Sequence, residues 1–93
     1  MNNKIELIIY IEFDSNIEEA SSNPLKYNFV CIPRIGETVF FDHRTYSLME
    51  NEYVITYLKT TNTKIRDYSR VIDVRYEMDS ETVFIILGYN NKS

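Results

Sequence analysis

Lys4-Ile5-Glu6-Leu7-Ile8-Ile9-Tyr10-Ile11-Glu12-Phe13 is the stretch whose reading decides the fold. Ile5, Leu7, Ile9, Ile11 and Phe13 fall on one side of an extended chain, and Lys4, Glu6, Tyr10 and Glu12 on the other. Strand side chains alternate between faces, so the pattern predicts a β-strand with one buried side. Ile8 alone breaks the polar face.

Further along the chain, the same alternation predicts strands over Tyr27 to Ile32, Thr38 to Phe41, Glu52 to Thr60, Tyr68 to Met78 and Glu81 to Leu87. In the fifth, Ile72, Val74, Tyr76 and Met78 face inward. With the sixth, which turns Val83, Ile85 and Leu87 inward, it reads as a β-hairpin across Asp79-Ser80. Gly36 supplies a backbone angle that other residues find costly, so the chain turns there. Ser15 and Glu18 have capping-box spacing for a short helix over Asn16 to Ala20, with a loop as the equal alternative. Tyr46 to Asn51 reads as a loop with one helical turn. Asn90 to Ser93 reads as a frayed tail after a single domain, residues 1–89.

Composition agrees with strands. The 93 residues include 12 Ile and 6 Val against 5 Leu and one Ala, Ala20. β-branched side chains suit a pleated surface, whereas Ala and Leu are the strong helix formers. The expected fold is all-β, with about six mostly antiparallel strands and at most one short helix. Such a sheet hides its edges by curling into a small, partly open barrel.

Pro33-Arg34-Ile35-Gly36-Glu37-Thr38-Val39 resembles the Pro-Arg-x-Gly-Glu-x-Val segment of small bacterial and phage SH3-like barrel proteins. Tyr68, Val71 and Val74 match that family's next strand loosely, and Val83 with Ile85 match its last. The resemblance implies an SH3-like barrel with residues 42–67 as an insertion. It also implies an accessory or inhibitory role exercised through a partner, of phage or mobile-element type. The motif is architectural and names no ligand.

The chemistry expected is non-enzymatic. His43 is the sole histidine; it follows Asp42, and neighbouring residues in a turn point apart. Cys31, the sole cysteine, reads as a small core residue and cannot close an internal disulfide. One His and one Cys are too few soft ligands for zinc, so neither metal nor cofactor is expected. The segment following Met1 has neither the apolar run nor the cleavage site of a signal peptide, and no stretch reaches membrane-spanning length. With an unpaired thiol, this predicts a cytoplasmic protein.

A net charge of -4 disfavours general nucleic-acid binding. The charge is uneven: residues 1–20 carry five carboxylates and one Lys, while residues 59–75 carry five cations and two Asp. Tyrosines are in surplus, at 8. Tyr couples a large contact area to a polar tip, which suits interfaces. Ile8 and Tyr10, on the polar side of the first strand, therefore mark a surface for a protein partner or for a second copy in a homodimer. Tyr53, Tyr57, Arg66, Tyr68 and Arg70 are the alternative set, a stacking and cationic face for a nucleotide or RNA.

Overall fold

The computed structural model describes residues 5–13 and 21–91. β1 (Ile5–Ile11) and β2 (Leu25–Phe29) are followed by α1 (His43–Met49), α2 (Glu52–Thr61), a 3-10 turn at Ile65–Asp67, and then β3 (Arg70–Glu77) and β4 (Thr82–Gly88). The strands form one sheet in the order β2-β1-β4-β3; β1 and β4 are parallel and the outer pairs antiparallel. Among the described residues the six-stranded barrel is thus corrected to a four-stranded mixed sheet with two helices, about 38% strand and 25% helix. The sheet does not close on itself, because helices rather than further strands cover its apolar face.

The alternation of the first strand works as its spacing predicts. Leu7, Ile9 and Ile11 lie beside Val83, Ile85 and Leu87 in parallel register, and all six are buried. Tyr46 and Met49 of α1 and Val54 of α2 join the same core, with Phe13, Tyr68 and Val71. Each such aliphatic side chain contributes about 1.5–3 kcal/mol on full burial.

Glu52 to Thr60 is the largest correction, since the expected strand is α2. Val54 is buried, and Tyr57 and Leu58 pack partly against the core, giving i, i+3, i+4 spacing. Asn51 caps the helix by accepting the Val54 N–H (2.9 Å), and Asn62 closes it in the left-handed region at φ 55°. Burial of one face overrides the modest helix propensity of Val, Ile and Thr. Tyr46 to Asn51, expected as a loop with one turn, falls largely in α1, which Asp42 caps by accepting the Thr45 N–H (2.8 Å).

Other boundaries also move. β2 spans Leu25–Phe29 rather than Tyr27 to Ile32, and Thr38 to Phe41 supplies only a bridge from Thr38 to Arg70. The hairpin of β3 and β4 is present, but the expected inward face of β3 is not. The register shifts between Val71 and Asp73, so Ile72 is an extra, bulged residue. Val71 is buried and Val74 half-buried, while Ile72, Tyr76 and Met78 are exposed. Gly36 turns at φ 95° as expected. Asn90, placed in a frayed tail, is anchored: its N–H donates to Asp67 O (2.8 Å) and its amide to Ser69 Oγ (3.3 Å). The short helix considered for Asn16 to Ala20 lies outside the described residues.

Two devices fasten the layers. Asn51 Nδ2 donates to Ser21 O and Asn23 Oδ1, and Asn23 Nδ2 donates to Leu48 O and Glu50 O, tying the approach to β2 to the helix junction. A Cβ on Gly88 would lie 2.9 Å from both Cδ1 and Cγ2 of Ile72, so the bulge packs on a bare backbone.

Gly88→Ala is expected to cost about 1–3 kcal/mol by overpacking. Truncating Ile72 to Ala should recover much of that loss, which a double-mutant cycle in urea would measure. Asn51→Ala is expected to lower stability by about 0.5–2 kcal/mol through its lost cap. Asn51→Asp keeps the cap and loses only the amide donors, so its unfolding midpoint should fall between those of the wild type and Asn51→Ala.

Candidate functional site: an apolar groove

α1 has only seven residues and covers the seam of β1 and β4, leaving the inner side of β2 to another segment. That segment is the chain from Val30 to Phe41, which runs from the end of β2 to the edge of β3. There, three backbone bonds pin it: Gly36 N–H to Val71 O, Val71 N–H to Glu37 O, and Val39 N–H to Ser69 O, at 2.8–2.9 Å. A tight turn also braces it, with Glu37 N–H on Arg34 O and the Glu37 carboxylate accepting the Arg34 N–H.

A groove of about 440 Å³ remains between this segment and the sheet. Leu7 and Ile9 line it from β1, and Tyr27 and Phe29 from β2. Pro33, Val39, Phe40 and Phe41 line it from the connecting segment, and Asp42 and Thr45 from the start of α1. A second depression of about 420 Å³ shares Phe29, Pro33, Val39 and Phe40 and extends to Cys31 and Glu37. Binding pockets of this size and apolar character are common in proteins.

Aromatic contacts hold one wall rigid. Tyr27 stacks on Phe41 (6.0 Å, 19°), and Phe41 meets the edge of Tyr46 (5.4 Å, 87°). Tyr46 OH accepts the Phe41 N–H (3.2 Å), and the Arg66 guanidinium lies 5.0 Å above the Tyr46 ring. Among the lining residues Phe29 is 52% exposed and Phe40 54%, so both rings are open to solvent.

The expected site residues do not gather here. Ile8 and Tyr10 lie on the sheet face turned away from the helices, each beside an apolar residue of β4: Ile8 pairs with Phe84, and Tyr10 with Ile86. Arg75 lies on the same face, and its hydrogen bond to Asp73 (2.8 Å) favours the charged guanidinium. Tyr57 and Tyr68 are structural. Tyr57 OH donates to Phe13 O (3.1 Å), and Tyr68 is buried with its ring 4.6 Å from that of Phe13 and its hydroxyl bonded to Thr63 Oγ1. Tyr53 is exposed in the first turn of α2. Arg66 is spent on Tyr46 and Phe41 O, and Arg70 sits at the sheet edge against Gly36. The five therefore form no common stacking platform.

Cys31, expected in the core, is exposed past the end of β2. Asp42 directs Oδ1 to the Thr45 N–H, a helix-capping role rather than the orienting of a base. Among the described residues no three His, Cys, Asp or Glu side chains assemble as metal ligands. Nor, among them, is any helix long and apolar enough to cross a membrane. Sequence reading passed over the groove because Tyr27, Phe29, Phe40 and Phe41 each looked like ordinary strand positions. The available signal was the density of aromatics on both sides of Pro33. No protein-family model matches the chain, and neither a curated protein nor a solved structure does.

The hydrogen bond from Thr45 N–H, chiefly, holds the Asp42 carboxyl below its ordinary value of 3.8. The folded value is lower than the unfolded one, so the stabilisation is fully present above the unfolded value. It is lost as pH falls through the folded value. Asn also caps helices well, so Asp42→Asn keeps the hydrogen bond and removes the charge. Its stability deficit relative to the wild type should shrink on going from about pH 7 to about pH 3, as measured by denaturant unfolding at each pH.

Proposed function

We propose that the protein is a non-enzymatic binding module that receives an apolar segment of a partner protein in this groove. One observation carries the reading: Phe29 and Phe40 stand more than half exposed over a gap lined by Leu7 and Ile9, in a wall fixed by hydrogen bonds and stacked rings. Interfaces draw most of their energy from a few apolar anchors seated in such gaps. A pre-formed wall also reduces the ordering cost of binding. Val30, exposed next to Phe29, adds to the apolar surface. The free, exposed Cys31 supports a reducing compartment such as the cytoplasm.

Self-association is the second reading, and the other side of the sheet favours it. Ile8, Tyr10 and Phe84 are only half-buried there, and they lie side by side across the parallel seam around the buried Ile86. A homodimer through this strip would appear as twice the monomer mass in light scattering, and Tyr10→Lys would return it to monomer.

Phe40→Ser tests the first reading. The side chain is half exposed, so its loss should change stability by less than about 0.5–1 kcal/mol. Affinity capture from the native cell, read by mass spectrometry, should lose with Phe40→Ser a protein that it retains with Tyr53→Ser, whose exposed ring lies on α2 away from the groove. Equal recovery with both variants would remove the groove from the function.

A further inference from the structure

β3 is an outer strand of the sheet, and among the described residues only the first part of its free edge is paired. Residues 36–39 bond it at Ser69 and Val71, where Val71 directs both its N–H and its C=O to that edge. The bulge at Ile72 shifts the alternation by one residue, so the next edge-directed residues are Val74 and Tyr76. The Val74 N–H agrees, since it donates to the side chain of its own neighbour, Asp73 (2.9 Å). Along this open part, Tyr76 is 62% exposed and Met78, the first residue of the hairpin turn, 81%. A depression of about 490 Å³ lies beside it, lined by Val74 and Tyr76 and by Ile32, Pro33, Arg34 and Ile35. An open edge with large apolar side chains is a template for another strand.

We propose that this edge pairs with the same edge of a second copy, antiparallel about a two-fold axis at Tyr76, so that the two sheets become one. The edge sequence selects the register. With like faces kept together, Tyr76 opposite itself sets Arg75 against Glu77 of the second copy, and Glu77 against its Arg75, on the side away from the helices. On the helix side Val74 meets Met78 of the second copy beside the depression, and Met fills irregular gaps well. Centring on Arg75 would oppose that cation to itself and Asp73 to Glu77, and centring on Glu77 would oppose that carboxylate to itself. Like charges directly opposite are destabilising. Centring on Val74 would drive the second copy into residues 36–39, which already hold β3. Arg75 has donors to spare: its Nε holds Asp73, its side chain is exposed, and a guanidinium carries five N–H groups. Tyr76 exchanges backbone bonds with its counterpart, and the Val74 N–H passes from the Asp73 carboxylate to the Met78 carbonyl. The contact uses the sheet edge, not the face of Ile8 and Tyr10, so it is separate from the self-association considered above.

Sedimentation equilibrium of the full-length protein tests it. A contact this small is weak, so a dimer is expected with a dissociation constant between about 1 μM and about 1 mM. Arg75→Glu or Glu77→Arg puts two like-charged pairs at the axis and should raise that constant about tenfold or more. Arg75→Glu with Glu77→Arg restores both pairs and should return it to within about threefold of the wild type. Tyr76→Pro removes an edge-directed N–H while sparing the ladder to β4, and should abolish the dimer. Tyr10→Lys should leave the dimer unchanged. A monomer at every concentration up to about 1 mM would overturn the proposal. So would a double variant no better than the single ones, or a dimer indifferent to the single reversals and to Tyr76→Pro. If Tyr10→Lys dissolves that indifferent dimer, the sheet-face contact stands in place of the edge.

Discussion

Leu7, Ile9 and Ile11 lie beside Val83, Ile85 and Leu87 in parallel register, and the rest of the chain is arranged by that seam. Parallel neighbours cannot be joined by a tight turn, because the chain must return to the same end before starting the second strand. Everything between Glu12 and Glu81 is therefore a connection. The chain uses it to build one antiparallel neighbour on each side, β2 on β1 and β3 on β4, and to lay both helices across the apolar face. The two central strands are thereby protected on both edges.

The groove follows from the same seam. Helix residues Tyr46, Met49 and Val54 are committed to the centre of the sheet, and α1 and α2 together are too short to cover β2 as well. The inner side of β2 is left to the segment from Val30 to Phe41, which has no regular hydrogen-bonding pattern of its own. Its rigidity comes from its far end, where the Gly36 turn allows three backbone bonds to β3, and from the stack of Tyr27, Phe41 and Tyr46. A loop anchored at both ends and bridged over apolar residues leaves a fixed gap.

Strand content was legible where one residue type dominates one face. Ile5 to Phe13 alternates with Ile8 as its exception, Val83 to Leu87 is apolar throughout, and the inward residues named in both are buried, with Ile5 half-buried. Tyr53 to Leu58 was misread because apolar residues occur at both parities, which fits a two-sided strand as well as a helix. The deciding marks were its flanking Asn51 and Asn62, a capping side chain and a left-handed terminator. The inward side of β3 was misread because Ile72 bulges out of register between Val71 and Asp73 and packs on Gly88, sixteen residues away. No local pattern encodes that meeting. The parallel pairing escaped for a like reason: Glu6 meets Thr82, a contact that only the whole fold brings about.

Charge shows the same separation between order along the chain and order in space. Lys59, Lys64, Arg66, Arg70 and Arg75 are close in sequence and suggested one basic face. The fold places Lys59 in the last turn of α2, Arg66 on Tyr46, Arg70 at the sheet edge, and Arg75 beside Asp73 on the face away from the helices. Helix, turn and strand each rotate successive side chains differently, so a run crossing all three scatters. Glu37 and Asp42 do the reverse. Glu37 is read in sequence as part of a turn motif and Asp42 as a neighbour of His43, yet the bend at Gly36 and the cap of α1 set them on two depressions that share Phe29, Pro33, Val39 and Phe40.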